Sequence, residues 1–191
     1  MLEEILNCNT LLDKIMLIKS YEDIYDIYDY RKMGIDEPIK VINLAKFAEK
    51  LGINIICDKK QSIFIDGVLR NTNGYKEISL KPNMDNDQIR ITIMTLICNY
   101  LLYPDSGNIA VDVTNYLIAT TKDSKRRNIS NRTLFMVDSL LVPEEELNKT
   151  KDYFEYDEVC AKIFKVNKYK MEENITEITG KVKKHSSFRK K

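Results

Sequence analysis

Hydrophobic positions change their spacing several times along this chain, and each change predicts an element. Leu2, Ile5, Leu6, Leu12, Ile15, Met16, Ile24, Ile27 and Tyr28 recur at roughly helical intervals and predict one or two amphipathic helices within residues 1–37. Pro38 followed by Val41, Leu44, Ala45, Phe47, Ala48 and Leu51 predicts a helix with proline in its first turn, closed at Gly52. INIIC (53–57), IFIDGVLR (63–70) and EISL (77–80) have strand composition, with Gly67 as a bulge candidate and Asn73-Gly74 as a hairpin turn, so a three-stranded meander is expected. Pro82 and Asn83 end it. Asp85 or Asn86 then caps a long helix in which Ile89, Ile93, Leu96, Ile97, Tyr100 and Leu101 keep three- and four-residue spacing until Pro104.

Residues 105–131 lack a clear period and carry a basic cluster, Lys122, Lys125, Arg126 and Arg127. Leu134, Phe135, Val137, Leu140 and Leu141 predict a second core helix that stops at Val142-Pro143. DEVCAKIFKV and KYKMEENITEI, separated at Val166-Asn167, predict a pair of short helices of helix-turn-helix type. A helix pair of this kind is also a common small packing unit, so the pattern alone does not assign DNA reading. The elements together predict an α+β fold, a small β-meander on core helices followed by a short helical C-terminal unit.

Composition narrows the chemistry. With 191 residues, 43% hydrophobic and 31% charged, the chain can bury a core and does not have the composition of a disordered polymer. The net charge of +1 creates no overall field for nucleic acid or anionic membrane. The ends are nevertheless opposite in sign: residues 1–37 hold nine acids and four bases, whereas KVKKHSSFRKK (181–191) holds six bases and no acid. A single histidine, His185 in that basic tail, argues against zinc sites built from two or three imidazoles and against histidine general acid/base chemistry in the body of the chain. Cys8, Cys57, Cys98 and Cys160 are widely spaced without a CxxC pair and read as buried free thiols of a reducing compartment. The acids in MLEEILNCNTLLDKIML predict neither export nor a membrane anchor, and a cytoplasmic location is expected. Twenty-four Ile and 16 Asn against 5 Ala fit an AT-rich coding genome, such as that of a low-GC bacterium or its mobile elements.

Four strings, in order, carry a resemblance. PIKVINLAKFAEKLGI (38–53) is similar to PIDVEKIAEKLGI, and RITIMTLICNYLLYP (90–104) to R-x-T-hydrophobic-A-H-E-L-G-H-Y-L-L-H. MVDSLLVPEEEL (136–147) is similar to a string ending A-A-E-L-L-M-P-E, and AKIFKVNKYKMEENI to a closing A-K-x-F-x-V-S helical pair. Over about residues 38–178 the chain therefore resembles the ImmA/IrrE family of bacterial and phage metallopeptidase-like proteins. The resemblance implies a zincin-like domain at 38–150, preceded by an acidic helical extension (1–37) and followed by a helical unit (151–180) and a basic tail (181–191).

The departures from the family pattern decide the expected function. In H-E-x-x-H the two histidines bind zinc and the glutamate acts as general base. The matching positions here are Thr95, Leu96 and Asn99, and the third ligand's position falls on Arg132. Thr and Asn oxygens are poor zinc ligands alone, leucine cannot move a proton, and an arginine pointing into the site opposes a dication. No metal or other cofactor is expected. Cys98, between Thr95 and Asn99, is the candidate nucleophile for a different chemistry, but it lacks a base and reads far more readily as a small buried thiol on the apolar side of a core helix. Asp58 and Asp66 are the acids expected nearest the cleft, without a second acid at useful spacing. The resemblance implies a catalytically inactive peptidase-like protein that binds another protein, a repressor or regulator of a phage or mobile element. The alternative is a DNA-binding regulator using Lys162, Lys165, Lys168, Lys170, Lys183, Lys184 and Arg189 on phosphates.

Overall fold

A computed structural model describes residues 1–28, 39–123, 125–143 and 145. Two short helices open the chain, α1 (Leu2–Asn7) and α2 (Leu11–Ser20). Thr10 caps α2 by accepting from the Asp13 amide, and Ile5, Ile15 and Ile18 are buried. Lys14 is buried with them because its ammonium donates to the Ile5 and Leu6 carbonyls at the end of α1, at 2.6 and 3.1 Å. Burial holds its pKa below the ordinary lysine value. The expected extension is thus helical to Ser20, and its apolar face lies in the same core as the helices that follow.

Helical spacing misread the next stretch. Ile24 ends a single 3-10 turn (Glu22–Ile24), and Ile27 and Tyr28 do not continue a helix: β1 (Tyr25–Tyr28) pairs antiparallel with β2 (Ile39–Ile42). The helix expected from Pro38 begins only at α3 (Leu44–Lys50), where Asn43 takes the N-cap and accepts from the Lys46 amide. Two causes decide this. Ile39, Val41 and Ile42 are β-branched and fit a pleated ladder, and Asn43 competes with helical hydrogen bonding on its N-terminal side.

The main sheet has six strands in the order β3-β5-β4-β6-β7-β8, comprising β3 (Ile53–Cys57), β4 (Gly67–Thr72), β5 (Tyr75–Leu80), β6 (Ile109–Asp112), β7 (Leu117–Thr120) and β8 (Arg127–Asn128). The Asn73-Gly74 hairpin forms as expected, both residues having positive φ, which matches the twist of the flanking strands. The meander does not. β3 lies parallel to β5, because residues 58–66 carry the chain past β5 and deliver β4 to its far side. Residues 105–131, expected to be irregular, supply β6, β7 and β8; strands of two to four residues are too short to show a period. Asp112 sets the turn after β6 by accepting from the Asn115 backbone and side-chain amides.

One face of the sheet carries α4 (Asn86–Leu102), which opens with a capping box between Asp85 and Gln88 and is buried without interruption from Thr92 to Leu101. α5 (Asn131–Leu141), capped by Ser130, lies against α4 and α2. Among the described residues no helix is long and apolar enough to cross a membrane.

Gly67 is not a bulge; it is in register with Leu80 and Val111. A Cβ there would stand 2.5 Å from Thr92 Cγ2 and 3.0 Å from Leu96 Cδ1, so the missing side chain is what lets α4 approach the sheet. Beside it Asp66, 2% exposed, ties three segments together. Its carboxylate pairs with Lys81 and accepts from the Val113 amide at 2.8 Å, while its backbone bonds Val111 and Lys81. Asp66→Ala is expected to cost about 3 kcal/mol in urea unfolding, since it strands a half-buried ammonium and a buried amide. Gly67→Ala is expected to cost about 1–3 kcal/mol, and less in a Thr92→Ala background, where the nearest obstructing methyl is gone.

Candidate functional site

Thr95, Leu96 and Asn99, the positions at which the resemblance expects catalytic chemistry, lie on the middle of α4, where the apolar sequence draws the helix fully into the core. Thr95 and Leu96 are fully buried and Asn99 is 3% exposed. Across from them Thr133, on the first turn of α5, donates to Asn99 Oδ1 over a long 3.5 Å. Thr133 in turn pairs with the Ser130 hydroxyl at 2.8 Å, and Ser130 with the Tyr103 hydroxyl at 3.3 Å. The structure therefore joins Asn99, Thr133, Ser130 and Tyr103 into one neutral line of hydroxyls ending on an amide. Asn99 Nδ2, Thr95 Oγ1 and Thr92 Oγ1 are buried without a hydrogen-bond partner.

Arg132 is exposed and is not turned into this contact; its neighbour Thr133 is the residue that faces Asn99. One residue of helix rotation, about 100°, separates the two, and the buried face of α5 runs through Thr133, Leu134, Met136 and Val137. Arg132, the position the resemblance assigned to a third ligand, thus lies on the exposed side of α5. Ser130, Thr133 and Tyr103 were missed. The available signal was the S-x-x-T cap that opens α5, which places two hydroxyls at the same helix end.

Cys98 is completely buried and free, and burial pushes its thiol well above the ordinary value, the nearby Asp138 carboxylate acting in the same direction. A thiol held protonated in this way is not a nucleophile near neutral pH. The expectation of buried thiols fails for Cys57, which is exposed at the end of β3, and for Cys8, which is half-buried; Cys160 lies outside the described residues. Asp66 is committed to the structural junction, and Asp58 accepts from the Lys60 amide in its own turn. Among the described residues no group of three or more His, Cys, Asp or Glu is arranged to hold a metal ion. Lys162, Lys165, Lys168, Lys170, Lys183, Lys184 and Arg189, with the expected helix pair, lie outside the described residues.

A second concave feature is an open cleft of about 330 Å³ between β1, the start of α3 and the first turns of α4. Arg90 stands in its wall and donates from Nη2 to the Ile42 carbonyl at 3.0 Å. Two pairs of exposed apolar side chains are also present: Ile63 (78%) and Phe64 (68%) in the segment between β3 and β4, and Leu12 and Met16 one turn apart on α2. Phe64 and Ile65 lie beside Ala110 and Ala119 on the face of the sheet opposite α4. Compared with known proteins, the chain matches no family model, no curated protein and no solved structure.

Thr95→Val is expected to stabilise the fold by about 1 kcal/mol, since it removes a buried hydroxyl without a partner at almost constant shape; urea unfolding checks this. The thiol of Cys98 has a raised folded pKa, so its contribution is complete below about 8.5, the value of an unfolded thiol, and is lost as pH rises beyond it. The stability of the native chain is accordingly expected to fall relative to Cys98→Ala above pH of about 8.5, by up to about 1.4 kcal/mol per pH unit. Unfolding curves of the two proteins between neutral pH and the alkaline range measure this difference.

Proposed function

We propose that this chain is a catalytically inactive protein of metallopeptidase-like, zincin-type fold, similar to the ImmA/IrrE family, that works by binding another protein. The observation that carries the reading is the middle of α4. A hydrolytic zinc site needs charged or imidazole side chains around a position open to substrate and water. Thr95, Leu96 and Asn99 instead sit at or below 3% exposure in a helix interface where Asn99 meets only the neutral hydroxyl of Thr133. Substrate has no route to them without separating α4 from its neighbours.

Protein binding is supported by the exposed apolar side chains. Ile63 and Phe64 are adjacent, largely in solvent, and continuous with the small-residue face around Ala110 and Ala119. Apolar side chains left out of a core that is otherwise filled are characteristic of surfaces that meet a partner. A regulator of a phage or mobile element in the cytoplasm is the partner class that the resemblance suggests, a repressor among them.

Two measurements test the proposal. Elemental analysis of the purified full chain is expected to find far less than one zinc per chain, with no hydrolysis of a peptide library; stoichiometric zinc together with cleavage overturns the reading. The double variant Ile63→Ser, Phe64→Ser is expected to keep its unfolding free energy within about 0.5 kcal/mol of the native value, as exposed substitutions do, and to lose the protein captured by the native chain from its source cells. Capture unchanged by the double variant, or no capture by the native chain, overturns it.

A further inference from the structure

The cleft between β1, α3 and α4 carries chemistry that the proposed function does not use. Arg90 is half-buried in its wall; Nη2 is fixed by the Ile42 carbonyl, Nε is buried without a partner, and no carboxylate among the described residues pairs with the guanidinium. A guanidinium partly removed from water ordinarily has a counter-ion, because desolvating an unpaired charge is costly. In the same wall stands Asp26, whose Oδ1 accepts from Asn43 Nδ2 at 3.3 Å and is thereby held in place. The remaining wall combines polar Asn86 with Ala45, the buried Leu44 and Ile93, and the half-buried Ile89.

We propose that this cleft binds a small zwitterion, an α-amino acid with an apolar side chain, whose carboxylate meets Arg90 and whose ammonium meets Asp26. Charge selects this class. Arg90 and Asp26 sum to zero, so a neutral molecule with separated charges complements both. A phosphate dianion would satisfy Arg90 while being repelled by Asp26. The bond from Nη2 to Ile42 orients the guanidinium fork, which favours a planar carboxylate over a spherical anion. Size agrees: about 330 Å³ is at the small end of ligand sites, and the half-buried Ile89 offers an aliphatic side chain an apolar contact. The inference stands independently of the protein-binding role, since the cleft shares no residue with the surface of Ile63 and Phe64.

The test is titration of the full chain with L-leucine, followed by calorimetry and by the methyl resonances of Ile89 and Ile93. Saturable binding with shifts at both methyls is expected. Leucinamide, which lacks the carboxylate, and 4-methylpentanoate, which lacks the ammonium, are each expected to bind at least about tenfold more weakly, the loss of one charge-assisted contact. Inorganic phosphate is expected not to compete. Arg90→Lys and Asp26→Asn should each weaken leucine by a similar factor, and the analogue series decides the matter even where a variant fails to fold. No saturable shift at Ile89 and Ile93, equal affinity for leucine and its two analogues, or competition by phosphate at the affinity of leucine overturns the proposal.

Discussion

From Thr92 to Leu101 the helix α4 has no wet face, and the rest of the molecule is arranged to satisfy that constraint. A helix buried all round must be covered by several elements at once. The sheet covers one side, with Gly67 giving up its side chain so that Thr92 and Leu96 can approach β4. α5 covers another, through Thr133 against Asn99, and α1 and α3 close the remainder. Asp66 reinforces the arrangement from the sheet side by binding Lys81 after β5 and the backbone that follows β6, so that the strands beneath α4 keep their relative positions.

The same constraint shapes the chemistry at its centre. Polar side chains on such a helix must be neutral or paired, because an isolated charge there would cost several kcal/mol. Thr92, Thr95 and Asn99 meet the first condition, and only Asn99 finds a side-chain partner, in Thr133. Their leftover donors and acceptors are a local cost within an interior otherwise filled by Ile, Leu, Met and Val. Cys98 fits the same environment as an uncharged thiol. The carboxylate of Asp138 stands near Cys98 and that of Asp66 is paired with Lys81, while Arg90 and Asp26 share an open cleft at the start of α4.

How much of this the sequence disclosed varies from element to element, and the reasons are physical. α4 and α5 were legible because each is long enough to repeat its apolar spacing, and α4 also begins at a capping side chain, Asp85. The β4-β5 hairpin was legible from Asn73-Gly74 alone. β1 and β2 were misread because a few apolar residues can satisfy a helical and a strand spacing at once, and only the pairing of Tyr25 with Ile42 distinguishes them. β6 to β8 were missed for want of length. The uncharged character of Thr95, Leu96 and Asn99 was readable position by position, but the orientation of Arg132 was not.

The sequence by itself determined which residues are present at the centre of α4 and how α4, α5 and the β4-β5 hairpin begin and end, since caps, turns and long periodicities act between near neighbours. Only the tertiary structure decided that β3 runs parallel to β5, that Thr133 rather than Arg132 faces Asn99, and that Arg90, Asn43 and Asp26 share one wall. Each of these depends on contacts between segments 17 or more residues apart, and is settled by which faces can be removed from water together.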